Sequence, residues 1–564
     1  MARIGRLLWR LTGIALIGAA VAAAASVVRS RSGPATDGAG SSSPLSAIGR
    51  GARSATMARL AVRRARDRTW TKARQRLADD EGRRRMQAEL ERRDAEDVVA
   101  ALGHMKGAMM KLGQMASYLD EGMPEPMREA LAGLRSDAPP MPGDLALSEI
   151  ESGLGRPLHE LFQTISPEPI ASASIGQVHR ATTTDGREVA VKVQYPGIAA
   201  AIAADMDNSE TIAMLLGMVF PGLDPQELVE ELRARINEEL DYENEAANVA
   251  LFADYYRGHP AIWIPEVVPE LSGRTVLTTE FVAGERFEAI YERSQEERDR
   301  VAEILYRFVF RSLNRQYVFN GDPHPGNYLL ADDGRVAFID FGLVKHFEAD
   351  EIDQFARLIR AMLDRDAEEF RRTAEAVNVL RPGAPFTDDE IYDWFAAYYE
   401  LILDEREVTV TSEYSGTLLY KTFDARTNEI LKHANVPPTF ALIQRINLGL
   451  FSLMGKLEAT ANWRTISEEL WAWTDGPPST PLGEAEAVWV ESGVSNARQT
   501  HVDNAARLYA EPLARLRDVS ARIEAEQRRP ATLDELAEAT GMPEAEVATI
   551  VRSVALPMPE DEDG

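Results

Sequence analysis

Four polar side chains, each set in or beside an apolar run, restrict the fold of this 564-residue chain more than anything else in it. Lys192 stands in VAVKVQ, Asp322 and Asn327 in GDPHPGN, and Asp340 in IDFG. Lysine is scarce, eight residues among 62 cations, so one placed inside a β-type run is informative. Neighbours alternate between the two faces of a strand, so Lys192 projects away from the side of its flanking valines. A compact ammonium there reaches a phosphate without a guanidinium's bulk. The plainer reading is an edge-strand lysine facing water.

The surrounding texture is ordered. Residues 187–193 (REVAVKV) and 274–282 (RTVLTTEFV) are β-rich. Helical patterns dominate from about 295 to 475, interrupted at 318–342 by VFNGDPHPGNYLLADDGRVAFIDFG. A small β-containing lobe is therefore expected ahead of a larger helical one. In residues 95–121, Val98, Leu102, Met105, Met109, Leu112, Ala116 and Leu119 fall three or four apart, which predicts a further helix. The apolar run 211–223 is too short to span a membrane and reads as a buried helix.

Asp322 and Asn327 keep a D-x-x-x-x-N spacing, and Asp340 follows in a D-F-G tripeptide, the order found in protein-kinase loops. Such chemistry needs a carboxylate beside the acceptor oxygen, plus an amide oxygen and a second carboxylate to hold Mg2+ over nucleotide phosphates. Residues 335–339 (RVAFI) read as the strand that presents Asp340, and Gly342 lets the chain turn after it. No G-x-G-x-x-G precedes Lys192; ASASIGQVHRA stands in its place. Ala171, Ser172, Ala173 and Ser174 carry Cβ atoms that hold this backbone farther from phosphate than glycine would, while the two serines offer hydroxyls. Glu280 and Val282, closing the second β-rich stretch, complete the expected nucleotide-contacting set. Lys192 also needs a carboxylate partner, and the helical segment EELDYENEAANVALF supplies Glu239, Asp241 and Glu245 as candidates.

Composition removes several classes. Cysteine is absent, which excludes disulfides, thiolate zinc sites, Fe–S clusters and a cysteine nucleophile. A formal charge of −28 argues against a general nucleic-acid binder, because phosphate neutralisation needs clustered cations. The charge is uneven, with a basic front and a strongly acidic remainder. Leu11 to Val28 carries no charge and would measure about 27 Å as a helix, a marginal single span. Arginines follow it closely at 29, 31, 50 and 53, placing the bulk of the protein on the cytoplasmic side. The expectation is an N-terminal membrane anchor over 1–32; a cleaved signal peptide competes with it. Residues 33–94 then read as a flexible linker and a basic helix, whose stretch 50–90 suits an anionic lipid surface.

These motifs together resemble the UbiB/AarF family of atypical protein-kinase-like proteins, linked to isoprenoid quinone biosynthesis. KLGQ at 111–114 is similar to the family's KxGQ signature, and ASASIGQVH at 171–179 to its Ala-rich loop. VKVQYPG at 191–197 resembles its lysine strand, ELDYENEA at 239–246 its ExD motif and αC glutamate, and GDPHPGN with IDFG its catalytic and metal loops. The resemblance implies an α+β, bilobal kinase-like fold with a small antiparallel sheet, a large helical lobe and an N-terminal helical extension. It implies that Lys192 contacts the phosphates of ATP or ADP and pairs with Glu245. Asn327 and Asp340 would bind Mg2+, and Asp322 would take the catalytic-base position. Lys111 and Gln114 would cover the peptide-binding place of an ordinary kinase, with Lys111 near Glu239 and Asp241. The activity implied is that of an ATPase or atypical kinase acting on a membrane lipid or quinone precursor.

The chain departs from the family in two places. Its loop reads Ala-Ser-Ala-Ser instead of an alanine run, and about 50 residues separate Lys192 from Glu245, so the small lobe carries an insertion. The expected divisions are the KxGQ extension at 95–165, the small lobe at 166–285, the large lobe at 286–475 and a helical tail at 476–564. Within the tail, 531–555 resembles a helix-turn-helix, yet nine acidic residues against one arginine from 531 to 564 favour a packing module over DNA binding. Two other readings stay open: a small-molecule phosphotransferase of the aminoglycoside or choline kinase type, and a non-catalytic nucleotide-binding scaffold.

Overall fold

The computed structural model describes residues 141–551 except 174, 207–232, 234–237, 322, 424–428, 431–432, 435–437, 475, 498, 501–502, 505–509, 530, 543–546 and 549. The expected anchor and linker, the helix bearing Lys111 and Gln114, the run 211–223, Ser174 and Asp322 all lie outside the described residues.

The small lobe is built on a four-stranded antiparallel sheet in the order β1-β2-β3-β5: β1 Phe162–Ser172, β2 Gly176–Thr183, β3 Glu188–Gln194 and β5 Val276–Glu280. Strands β2 and β3 join through Asp185-Gly186, where Gly186 takes φ 88° and its N–H donates to Thr183 O at 3.0 Å. That left-handed conformation costs glycine little and reverses the chain within a short hairpin loop. Along β3 the burial alternates. Val189, Val191 and Val193 point to one face, where α1 (Gly143–Leu154) lays Ala146 and Ile150 over them. Each such buried valine or isoleucine contributes about 1.5–3 kcal/mol over its exposed state. Helix α1 therefore covers the outer face of the sheet and leaves the face of Ala190 and Lys192 to the cleft. Helix α2 (Tyr242–Tyr255) packs beside β5 and is N-capped by Asp241, which accepts from the Glu243 and Asn244 N–H groups.

The large lobe opens with α3 (Gln295–Arg311), started by a capping box in which Ser294 and Glu297 satisfy each other's backbone N–H. Its apolar face, including Ile304, Leu305 and Phe308, lies in the principal core. A second four-stranded sheet, in the order β4-β9-β8-β6, consists of Ile262–Trp263, Val336–Phe338, Tyr328–Ala331 and Gly284–Arg286. A two-stranded pair, β7 Val318–Asn320 with β10 Val344–His346, flanks the loop between β7 and β8. Helices α4 (Ala349–Leu363), α5 (Ala367–Ala376), α6 (Asp388–Ala396), α7 (Ser412–Phe423), α8 (Pro438–Leu457) and α9 (Trp463–Leu470) complete the lobe. Beyond it come α10 (Pro481–Ser492), α11 (Ala510–Gln527) and α12 (Leu533–Thr540), the last two sharing a small core around Leu516 and Leu536. Among the described residues no helix is long and apolar enough to cross a membrane.

Candidate functional site

Strand β3 presents Lys192 on the cleft face, paired in register with Val178 on β2 and Leu277 on β5. Its Nζ donates to both oxygens of Glu245, at 2.7 and 2.9 Å, and stands 3.5 Å from Asp340 Oδ2. The Tyr242 ring lies 5.0 Å below it. Burial alone would depress the ammonium, but Asp340 and Glu245 together hold it well above the ordinary lysine range. Burial likewise raises the Glu245 carboxyl, against the opposing pull of Lys192.

Of the three acidic candidates the partner is Glu245, as the family resemblance implied. Asp241 is occupied as the N-cap one turn earlier, and Glu239 lies before the helix begins. The helix is also tied to the sheet by Gln194, whose Nε2 donates to Leu240 O at 2.8 Å.

Strand β9 delivers Asp340 as its sequence suggested. Asp340 Oδ1 accepts from the Gly342 N–H at 3.1 Å, and its carboxylate is one-third exposed. The Ile339 N–H donates to Asn327 O at 3.0 Å, which brings the two loops together. Two further amides hold the D-F-G backbone. Asn320 Nδ2 donates to Asp340 O at 2.9 Å, and Asn248 Nδ2 on α2 donates to Phe341 O at 3.2 Å. Neither was singled out in the sequence. The only signal was position: Asn248 lies one helical turn after Glu245, and Asn320 two residues before Asp322.

The loop after β1 is a tight turn. Ala173 N–H donates to Gly176 O at 2.8 Å, and Tyr195 N–H to Ile175 O at 2.9 Å. Burial raises the Tyr195 phenol, and the nearby Ser172 hydroxyl offsets part of that rise. A Cβ on Gly176 would stand 2.3 Å from Val193 O, so only glycine lets β2 and β3 close here. Gln177 and His179, of the same motif, serve the opposite face. Gln177 Oε1 accepts from Met141 N–H at 2.9 Å, and its Nε2 meets His179 Nε2 at 2.9 Å; His179 Nδ1 lies 2.8 Å from Ser166 O. Both side chains are buried and lock the incoming chain onto the sheet.

Glu280 ends β5, and Val282 follows two residues on. The Glu280 carboxylate accepts from Trp263 Nε1 at 3.2 Å and projects from the sheet face opposite Lys192, so any contact it makes with a cleft ligand runs through its backbone. Val282 is buried.

The Ile339–Asn327 backbone hydrogen bond sets the loops of Asn327 and Asp340 side by side, and an amide oxygen with a carboxylate is the ligand type that suits a hard cation such as Mg2+. Among the described residues no group of three or more His, Asp and Glu side chains converges as a metal site.

A small antiparallel sheet carrying a lysine–helix glutamate pair, set against a helical lobe with a D-F-G carboxylate, defines a protein-kinase-like fold. Residues 133–374 match the family model of the ABC1 atypical kinase-like domain. The chain is similar to the atypical kinase coq-8, mitochondrial, of Caenorhabditis elegans: 32% identical over 294 residues, covering 51% of this chain and 39% of that protein. It is 32% identical over 346 residues to ACTIVITY OF BC1 COMPLEX KINASE 3, chloroplastic, of Arabidopsis thaliana, covering 60% of this chain and 47% of that protein. The chain thus spans less than half the length of both relatives. Among solved structures, Rv3197 of Mycobacterium tuberculosis, in complex with erythromycin, is 33% identical with a TM-score of 0.51. That match covers 68% of this chain and 97% of the mycobacterial one. The chain belongs to the ABC1 family of atypical kinase-like proteins, the UbiB/AarF/COQ8 group.

Proposed function

We propose that this protein binds a Mg2+-nucleotide, ATP or ADP, between its two lobes and spends it in an ATPase or kinase-like reaction serving isoprenoid quinone or lipid metabolism. The observation that carries the reading is the Lys192 ammonium held 2.7 Å from Glu245 and 3.5 Å from Asp340, facing the cleft. In this reading Lys192 orients the nucleotide phosphates, and Glu245 fixes the direction of its Nζ. The 171–174 turn covers the phosphates, and Glu280 and Val282 border the base. Asn327 and Asp340 would hold the cation, which when bound neutralises phosphate charge and aligns the terminal phosphoryl group. Asp322 takes the base position by its spacing to Asn327. Lys111 and Gln114, with Glu239 and Asp241, restrict access by peptide substrates. The uncharged run 11–28 anchors the chain in a membrane, and the basic stretch 50–90 engages anionic lipid.

The test is Mg2+-dependent ATP hydrolysis by the full chain, with neutral and with anionic liposomes, beside Asp340→Asn. Turnover that requires Asp340 and rises with anionic lipid supports the reading. Nucleotide binding without turnover under both conditions refutes the ATPase and favours a scaffold. Phosphate appearing on an added small alcohol favours a phosphotransferase.

A further inference from the structure

Helix α10 lies beyond the family-matched residues, yet it reaches the far end of the helix that carries Glu245. Glu486 of α10 is buried among three cationic or donor side chains. Its Oε2 accepts from Arg307 Nη1 at 2.7 Å; its Oε1 stands 3.2 Å from His259 Nε2 and 3.5 Å from Arg311 Nε. The tautomer of His259 follows from its other nitrogen: Nδ1 accepts from the Ala261 and Ile262 N–H groups at 3.1 and 2.9 Å, so Nε2 carries the proton and donates to Glu486. One turn on, Trp489 stacks on Tyr256 with the rings 4° from parallel, and its Nε1 donates to Arg257 O at 2.8 Å. It also meets His259 edge-on at 4.6 Å.

Tyr256, Arg257 and His259 follow directly on the last residue of α2, Tyr255. A helix is a stiff rod, so gripping its end fixes where its earlier turns lie. Glu245 sits about 15 Å back along the same rod at 1.5 Å per residue. Asn248, which holds the Phe341 carbonyl, lies between them. At the opposite end the helix is held by the Asp241 cap, by the Gln194 bond to Leu240 O and by the Tyr242 N–H, which donates to Arg274 O at 3.2 Å. At the far end α10 contributes a ring stack, a backbone hydrogen bond and the Glu486 carboxylate that joins His259 to Arg307 and Arg311 of α3, beside the 2.8 Å bond between the Tyr256 and Ser312 hydroxyls.

We propose that Glu486 and Trp489 are positioning residues for the Lys192–Glu245 pair, and that α10 sets the register of α2 from outside the kinase-like domain. The proposal rests on the nucleotide-binding reading for its functional consequence, but its structural part is tested separately. In the full chain, amide hydrogen exchange is followed over Tyr242–Tyr255 and, as a reference, over α4 and α5. The affinity for a fluorescent Mg2+-ATP analogue is measured in parallel for the parent protein, Trp489→Ala, Trp489→Phe and Glu486→Gln.

Trp489→Ala is expected to speed exchange in α2 at least tenfold, to leave α4 and α5 unchanged and to weaken the analogue at least tenfold. Trp489→Phe, which keeps the stack, restores most of both. Unchanged exchange in α2, or exchange that rises equally in α4 and α5, overturns the proposal. If Trp489→Ala does not fold, Glu486→Gln measured in the same way decides, with the same selective rise in α2 expected. Failure of the parent protein to bind the analogue refutes the nucleotide reading alone, because the exchange data still judge the role of α10.

Discussion

The Lys192–Glu245 pair makes a quantitative test of how the cleft is held. Glu245 is 1% exposed and the Lys192 side chain 15%, with 2.7 Å between the charged atoms. At an effective dielectric constant of about 20 their attraction is ~6 kcal/mol, most of it offset by the several kcal/mol needed to desolvate each ion. The net pair is therefore worth little against an apolar replacement, while an orphaned ion is costly. Glu245→Met leaves the ammonium with Asp340 at 3.5 Å, so its loss belongs at the low end of the range for broken buried pairs, about 3 kcal/mol. Lys192→Met leaves two carboxylates facing each other, one of them buried, and costs about 4–5 kcal/mol. At roughly 2–4 °C per kcal/mol for a domain of 150–250 residues, the singles should lower Tm by about 6–20 °C. The double substitution should recover at least 2 kcal/mol of the summed losses, because no buried ion is then left unpaired. The assay is a double-mutant cycle by chemical denaturation, with Mg2+-nucleotide binding measured beside it. Singles within 2 °C of the parent, or a double equal to the sum of the singles, would refute the reasoning.

Three other outcomes follow from particular contacts. Asp241→Ala removes the cap from α2 and should cost about 1 kcal/mol in urea unfolding, with a parallel loss of nucleotide affinity. Gly176→Ala drives a Cβ to 2.3 Å from Val193 O; the two strands must part, and the expected loss is about 1–3 kcal/mol with weaker nucleotide binding in a titration. Burial lowers the pKa of His259, whose Nδ1 cannot take a proton without releasing two backbone N–H groups. The unfolded chain therefore binds a proton that the folded one refuses, so stability rises with pH through this range and is lost as pH falls below about 6.5. The slope approaches about 1.4 kcal/mol per pH unit for this group, and a Tm-against-pH curve should flatten in His259→Gln. A curve of unchanged slope in that variant would place the acid sensitivity elsewhere, at His179 or His346, whose burial also lowers them.

The sequence by itself determined what depends on near neighbours. Alternation in REVAVKV predicted β3 and the face that Lys192 takes, and RVAFI predicted the strand that leads to Asp340, because a period of two is imposed by strand geometry alone. The helix after Leu240 and the order of the polar loops were legible for the same reason, and the family followed from that order. Spacing left Glu239, Asp241 and Glu245 open and the family resemblance pointed to Glu245; the tertiary structure is what seats that carboxylate on Lys192. The choice turns on which carboxylate falls at the cap and which one turn deeper, and on where β3 lies beside the helix. Tertiary packing also turned Glu280 toward Trp263, set Asn248 and Asn320 on the D-F-G carbonyls, and brought Glu486 to His259. Periodicity and spacing act over a few residues, whereas these contacts join residues from 17 to 227 positions apart. They exist because distant apolar faces bury one another, and the polar side chains trapped between those faces must then find their partners there.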